Sequence, residues 1–182
     1  FNPDGQLKEK IVPPQPVQKI SAAWSLHDSN WFPDFPLSAK KAIYFYEKTG
    51  GPTVDGVITF TPTIMQKLLE ITGPIEMPEY GVTLDAENFV ELTQYEVEVD
   101  YDKEENEPKK ILSDLAPIVL EKLLSNKNLE NVAKIANAFL QGLSEKHILL
   151  YFQNNDLQGM ISQQGWSGEI LPAEKDYLSV IN

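Results

Sequence analysis

The chain has 182 residues, 42% hydrophobic and 23% charged, with no cysteine. That is enough apolar material for a packed core and argues against wholesale disorder, while disulfides, thiolate metal sites and a cysteine nucleophile are excluded. Twenty-seven acids against fifteen bases, every base a lysine, leave a net charge of −12, which excludes nucleic acid because phosphate neutralisation needs clustered cations.

Residues 1–23 carry Pro3, Pro13, Pro14 and Pro16 with little periodicity and read as an extended lead-in or edge strand. A single α/β domain is expected over 24–182. It opens on Asp28–Phe35, where Trp31, Phe32 and Phe35 are interleaved with short polar residues that bond to local amides. Asp34 or Ser38 caps a predicted helix to about Lys48, with Ala39, Ala42, Ile43 and Tyr46 facing inward and Gly50-Gly51 stopping it. Val54–Phe60 is β-branched and aromatic and reads as a buried strand, with Gly56 leaving room for a neighbouring backbone.

Thr61-Pro62 predicts an N-cap followed by a first-turn proline. Ile64, Met65, Leu68 and Leu69 then face inward, and Gly73-Pro74 closes the helix. Tyr80–Leu84 leads into a helix over Ala86–Gln94, and Glu96–Tyr101 alternates as a strand or a helix end.

Two strongly periodic helices follow. Lys109–Leu124 has the apolar set Ile111, Leu112, Leu115, Ile118, Val119 and Leu123; Asn128–Leu143 has Leu129, Val132, Ile135, Ala136, Phe139 and Leu140. His147–Phe152 reads as a buried strand, Asp156–Gln163 as a helix closed by Gly165, and Tyr177–Ile181 as a last strand. No run of about eighteen apolar residues exists to span a bilayer. The chain starts at Phe1 and stops inside that last strand, so it is expected to be a piece of a longer protein, which would carry the anchor.

No complete catalytic motif is present. Asp28, Asn30 and Asp34 offer three oxygen-bearing side chains within seven residues, a donor set suited to Mg²⁺ or Ca²⁺, with Asp28 and Asp34 as the candidate metal ligands. The same residues serve equally as a helix cap and Asx turns, and that reading is favoured, with no cofactor. Asp100–Glu107 lacks the glycine and the twelfth-position acid of a calcium loop and reads as solvated charge. His27 stands beside Asp28, but neighbours in sequence rarely face each other, so both His27 and His147 read as structural. Glu87 and Glu91 share a helix face, with Asn88 between them, as acid/base pair or as dipole complement. Lys40 is the cation closest to the first loop that could meet an anionic ligand.

The segments D-S-N-W-F-P-D-F-P (28–36), V-D-G-V-I (54–58), L-L-E-I-T-G-P-I (68–75) and E-N-F (87–89) resemble an uncharacterised bacterial domain family of unknown function found in membrane-anchored cell-surface proteins. At longer range, the order helix, Gly-Gly, strand, helix, T-G-P-I is similar to the LytR–CpsA–Psr family of extracytoplasmic glycopolymer transferases. That second resemblance implies a three-layer α/β/α sandwich with a mixed central sheet and an apolar lipid groove. Its pyrophosphate-gripping arginines are missing here, and lysines do not reproduce their bidentate contacts. The expectation is therefore an extracytoplasmic module binding a protein or glycan ligand without catalysis. The alternative is a Mg²⁺-dependent transferase or hydrolase of lipid-linked or phosphorylated cell-envelope glycopolymers.

Overall fold

The computed structural model describes residues 7–98, 110–125 and 128–172. It is a mixed α/β protein whose residues fall into two compact units, one built from the chain up to Thr59 together with the chain from Leu149 onward, the other from Phe60–Ile148.

In the first unit a 3-10 turn at Val17–Lys19 stands where an extended lead-in or edge strand was expected, because Pro16 supplies a helical φ at its cap. Helix α1 is Phe35–Lys48. Its buried side is Phe35, Ser38, Ala39, Ile43 and Phe45, which replaces the expected Ala42 and Tyr46 by Phe45, since the Trp24 ring packs edge-on against Phe45 at 5.3 Å between ring centres.

Strand β1 (Gly56–Phe60) pairs with β4 (Ile148–Phe152). The pairing is antiparallel, as the Gln153 N–H to Asp55 carbonyl and Thr61 N–H to His147 carbonyl bonds require. Gly56 has the role read from the sequence, because a Cβ there would collide with the Tyr151 carbonyl. The expectation that β1 is buried is wrong: Ile58 and Phe60 are more than half exposed. A two-stranded ribbon has fewer neighbours to cover both faces than a central strand does.

In the second unit α2 (Pro62–Thr72) buries Ile64, Leu68 and Leu69 and ends at Gly73, whose φ of 71° suits only glycine without strain. A hairpin follows, β2 (Ile75–Met77) against β3 (Val82–Leu84), with Ile75 opposite Leu84. Its turn contains Gly81 in the left-handed region. β2 was not expected, being only three residues long.

Helix α3 (Phe89–Glu98) turns Glu96–Glu98 into a helix end, while residues 99–101, the charged stretch to Glu107 and the expected strand Tyr177–Ile181 lie outside the described residues. Helix α4 (Lys110–Ser125) buries Ile111, Leu115, Val119 and Leu123, a strict four-residue repeat. Helix α5 (Leu129–Ser144) corrects the sequence reading. Its buried side is Asn131, Ala138 and Gly142, and Leu129, Val132, Phe139 and Leu140 are exposed. The reason is close approach: a Cβ at Gly142 would meet Ile64 and Ile148, so the helix packs through small residues and turns its large ones outward. Helix α6 (Asn155–Gln163) completes the first unit, capped by Asn154.

Candidate functional site

In the aromatic turn the polar side chains are consumed by the fold. Asp34 accepts the Leu37 N–H on Oδ1 at 3.1 Å, capping α1, and the Ile170 N–H on Oδ2 at 3.0 Å. Ser38 Oγ bridges the Phe32 N–H and carbonyl at 3.1 and 2.9 Å. Trp24 Nε1 donates to the Asp28 carbonyl at 3.0 Å, and Lys41 Nζ lies 5.0 Å above the Trp24 ring. Asn30 is exposed, and Lys40 stands with its Nζ 5.8 Å from the Tyr151 ring centre. Asp28 and Asp34 have different partners, His27 for the first and the α1 cap with the Ile170 N–H for the second. Among the described residues no group of three or more His, Asp or Glu side chains is placed to hold a metal ion.

Glu87 and Asn88 belong to a capping arrangement at the start of α3. Asp85 Oδ1 accepts the N–H groups of Glu87 and Asn88, and Asn88 Oδ1 returns the favour to the Asp85 N–H at 2.9 Å. Such a reciprocal box satisfies backbone donors that a helix start otherwise leaves bare. Asn88 also donates to the Thr83 carbonyl, tying α3 to the hairpin. Glu87 and Glu91 are both exposed.

The sequence argument that His27 and Asp28 would not face each other fails. The 3-10 turn Leu26–Asp28 places His27 Nε2 3.0 Å from Asp28 Oδ2 and His27 Nδ1 2.6 Å from Ser25 Oγ. Three-residue turns bring near neighbours to one side, which strand or helix spacing does not. The Asp28 oxygen is shut off from solvent and its approach to His27 is not aligned as a hydrogen bond. Ser25 is buried, so this hydroxyl–imidazole–carboxylate series braces the turn.

The second unit carries an apolar groove of about 630 Å³. Its walls come from the β1 end (Phe60), α2 (Met65), α4 (Leu120) and α5 (Phe139), with α3 contributing Phe89. Phe60, Leu120 and Phe139 are 55%, 56% and 40% exposed, far from the usual fate of such side chains. None of the thirteen described lining residues is ionisable, and the only polar side chains among these are the hydroxyls of Thr61 and Ser113. Sequence reasoning placed Phe60 and Phe139 in the core. The signal that points the other way is the small pair Ala138 and Gly142, which claims the packing face of α5.

At the groove's edge Thr61, the N-cap of α2, does not cap its own helix. Its Oγ1 lies 2.9 Å from His147 Nδ1, and His147 Nε2 is 3.8 Å from Glu145 Oε2. Glu145 is further held by Gln141 Nε2 at 2.7 Å and by Lys67 Nζ at 3.5 Å. The Gln141 hydrogen bond keeps the Glu145 carboxyl below the usual carboxylate range; Lys67 adds to this, against a smaller loss of hydration. Lys67 and Glu145 form an ion pair beside His147.

These features define a mixed α/β protein with an apolar groove whose described lining carries no charge. The profile of the family described as protein of unknown function (DUF4012) matches residues 4–97, just over half of the chain, and the chain belongs to that family. No curated protein and no solved structure matches it. No helix among the described residues is long and apolar enough to cross a membrane.

Proposed function

We propose that this chain is an extracytoplasmic, cell-surface binding module that acts without catalysis, and that its ligand seats in the apolar groove of the second unit. The observation that carries the reading is the lining itself: a cavity of ligand-binding size, walled by exposed Phe60, Leu120 and Phe139 with no ionisable group among the described lining residues. Pockets of this volume and apolarity are the usual seats of small ligands, and large exposed apolar patches are rare without a use. The spending of Asp34 and Asn88 on helix caps supports the same view, since candidate ligand-binding groups are committed to the backbone.

The location rests on the resemblance to membrane-anchored cell-surface proteins, with the anchor in another part of a longer protein. The three-layer layout of LytR–CpsA–Psr proteins belongs to the same reading, supported by the α1, β1, α2 order along the chain.

The neutral dye Nile red tests the binding claim. The native protein is expected to bind it with blue-shifted emission, and Leu120→Asp to weaken binding about tenfold or more by placing a charge in the apolar wall. Because Leu120 is exposed, the same change should alter stability by less than about 0.5 kcal/mol. Equal dye binding by native and Leu120→Asp protein would remove the groove as the seat. Protection of an epitope on this module from protease added to intact cells would remove the surface location.

A further inference from the structure

We infer that the groove takes a single-chain lipid with an uncharged, hydrogen-bonding head, such as a long-chain alcohol or a monoacylglycerol, and that the Thr61 hydroxyl held by His147 receives that head. This rests on the groove being the ligand seat and adds the class of ligand.

Charge decides among occupants. A carboxylate, phosphate or ammonium head would be stripped of water beside thirteen described lining residues that carry no counter-charge, which is costly. Lys67 and Glu145, which reach the groove edge through His147, are paired with each other at 3.5 Å. An extended peptide would bring a backbone N–H and C=O at every residue to a wall with two hydroxyls, and buried unpaired backbone groups are scarcely tolerated. A second copy of this chain would bring its own charge of −12 against the first. An aliphatic chain needs none of these partners and gains from each methylene removed from water.

The head position follows from Thr61. Its hydroxyl is directed to His147 Nδ1 at 2.9 Å instead of to its own helix. In the tautomer whose Nδ1 accepts, the Thr61 hydroxyl donates to the imidazole and its oxygen keeps lone-pair capacity toward a ligand hydroxyl at the groove edge. A neutral alcohol head can donate there; an ether or ester oxygen cannot.

Nile red displacement from the native protein, with ligands of equal chain length, provides the test. Dodecanol and monolaurin are expected to displace the dye at least tenfold more effectively than dodecanoate, dodecyl phosphate or dodecylammonium. Thr61→Val should weaken dodecanol about five- to tenfold more than it changes dye affinity, the scale of one hydrogen bond, and Thr61→Ser should restore it. Circular dichroism checks folding, and the ligand series on native protein decides the matter if Thr61→Val does not fold. Head-group indifference, preference for a charged head, no displacement by any of these lipids, or dimerisation that Leu120→Asp abolishes would each overturn the inference. Displacement failure with dye still bound would leave the groove as a binding seat, whereas failure of the dye itself to bind would remove that seat.

Discussion

Both histidines join a hydroxyl to a carboxylate, one in each unit, yet the two arrangements do different work. In the first unit Ser25, His27 and Asp28 close on themselves within one 3-10 turn, with Ser25 buried and Asp34 anchoring the turn through both carboxylate oxygens. In the second, Thr61 and His147 meet across 86 positions of chain at the edge of an open apolar groove. The lesson is that a series of polar groups becomes a site only where space beside it is left unfilled. Residue type alone gives the two series the same appearance.

The comparison breaks first if the aromatic turn is not rigidly packed. Phe45→Ala removes a side chain that is 1% exposed and takes the Trp24 edge contact with it. A loss of about 3–5 kcal/mol is expected. It would be read by urea unfolding followed through tryptophan emission, since Trp24, Trp31 and Trp166 all lie in the first unit. A smaller test asks whether Asp34 is spent. Asp34→Ala should cost about 2 kcal/mol, roughly one for the lost cap and one for the stranded Ile170 N–H, and Asp34→Asn should recover most of the cap. Unchanged stability would mean that Asp34 is available to a ligand, and the contrast between the units would collapse.

The smallest effect concerns the groove's edge. Glu145 has its folded carboxyl pKa below the ordinary value, chiefly through Gln141. A depressed pKa contributes stability that is present above the unfolded value and is lost as pH falls through the folded one. The pH window is therefore acidic, below the usual carboxylate range, and the groove edge should be unaltered near neutrality. Gln141→Ala should move the Glu145 titration upward when followed by NMR. A titration indifferent to Gln141 would mean that the carboxylate is not held where His147 faces it.

Much of the local structure was legible in the chain. Asp34 before Phe35-Pro36, Thr61-Pro62 and Gly73-Pro74 mark helix ends by backbone chemistry that needs no partner, and Gly56 marks a close approach of strands. Helix α4, with an apolar residue every fourth position, could hardly pack otherwise. The misreadings share one cause. Periodicity says that a helix has two unlike sides and not which side a neighbour will cover. In α5 the large apolar residues look like the buried side, but Gly142 lets α2 and β4 come closer on the other, and close contact over small residues prevails.

By itself the sequence determined where many elements start and stop, that the chain contains no cysteine and no arginine, and that the aromatic turn is built from residues that bond to their own backbone. Only the tertiary structure decided which apolar side chains stay uncovered and which hydroxyl meets which imidazole. Those outcomes depend on distances between segments far apart in the chain, set by how closely backbones can approach, and no local pattern encodes that.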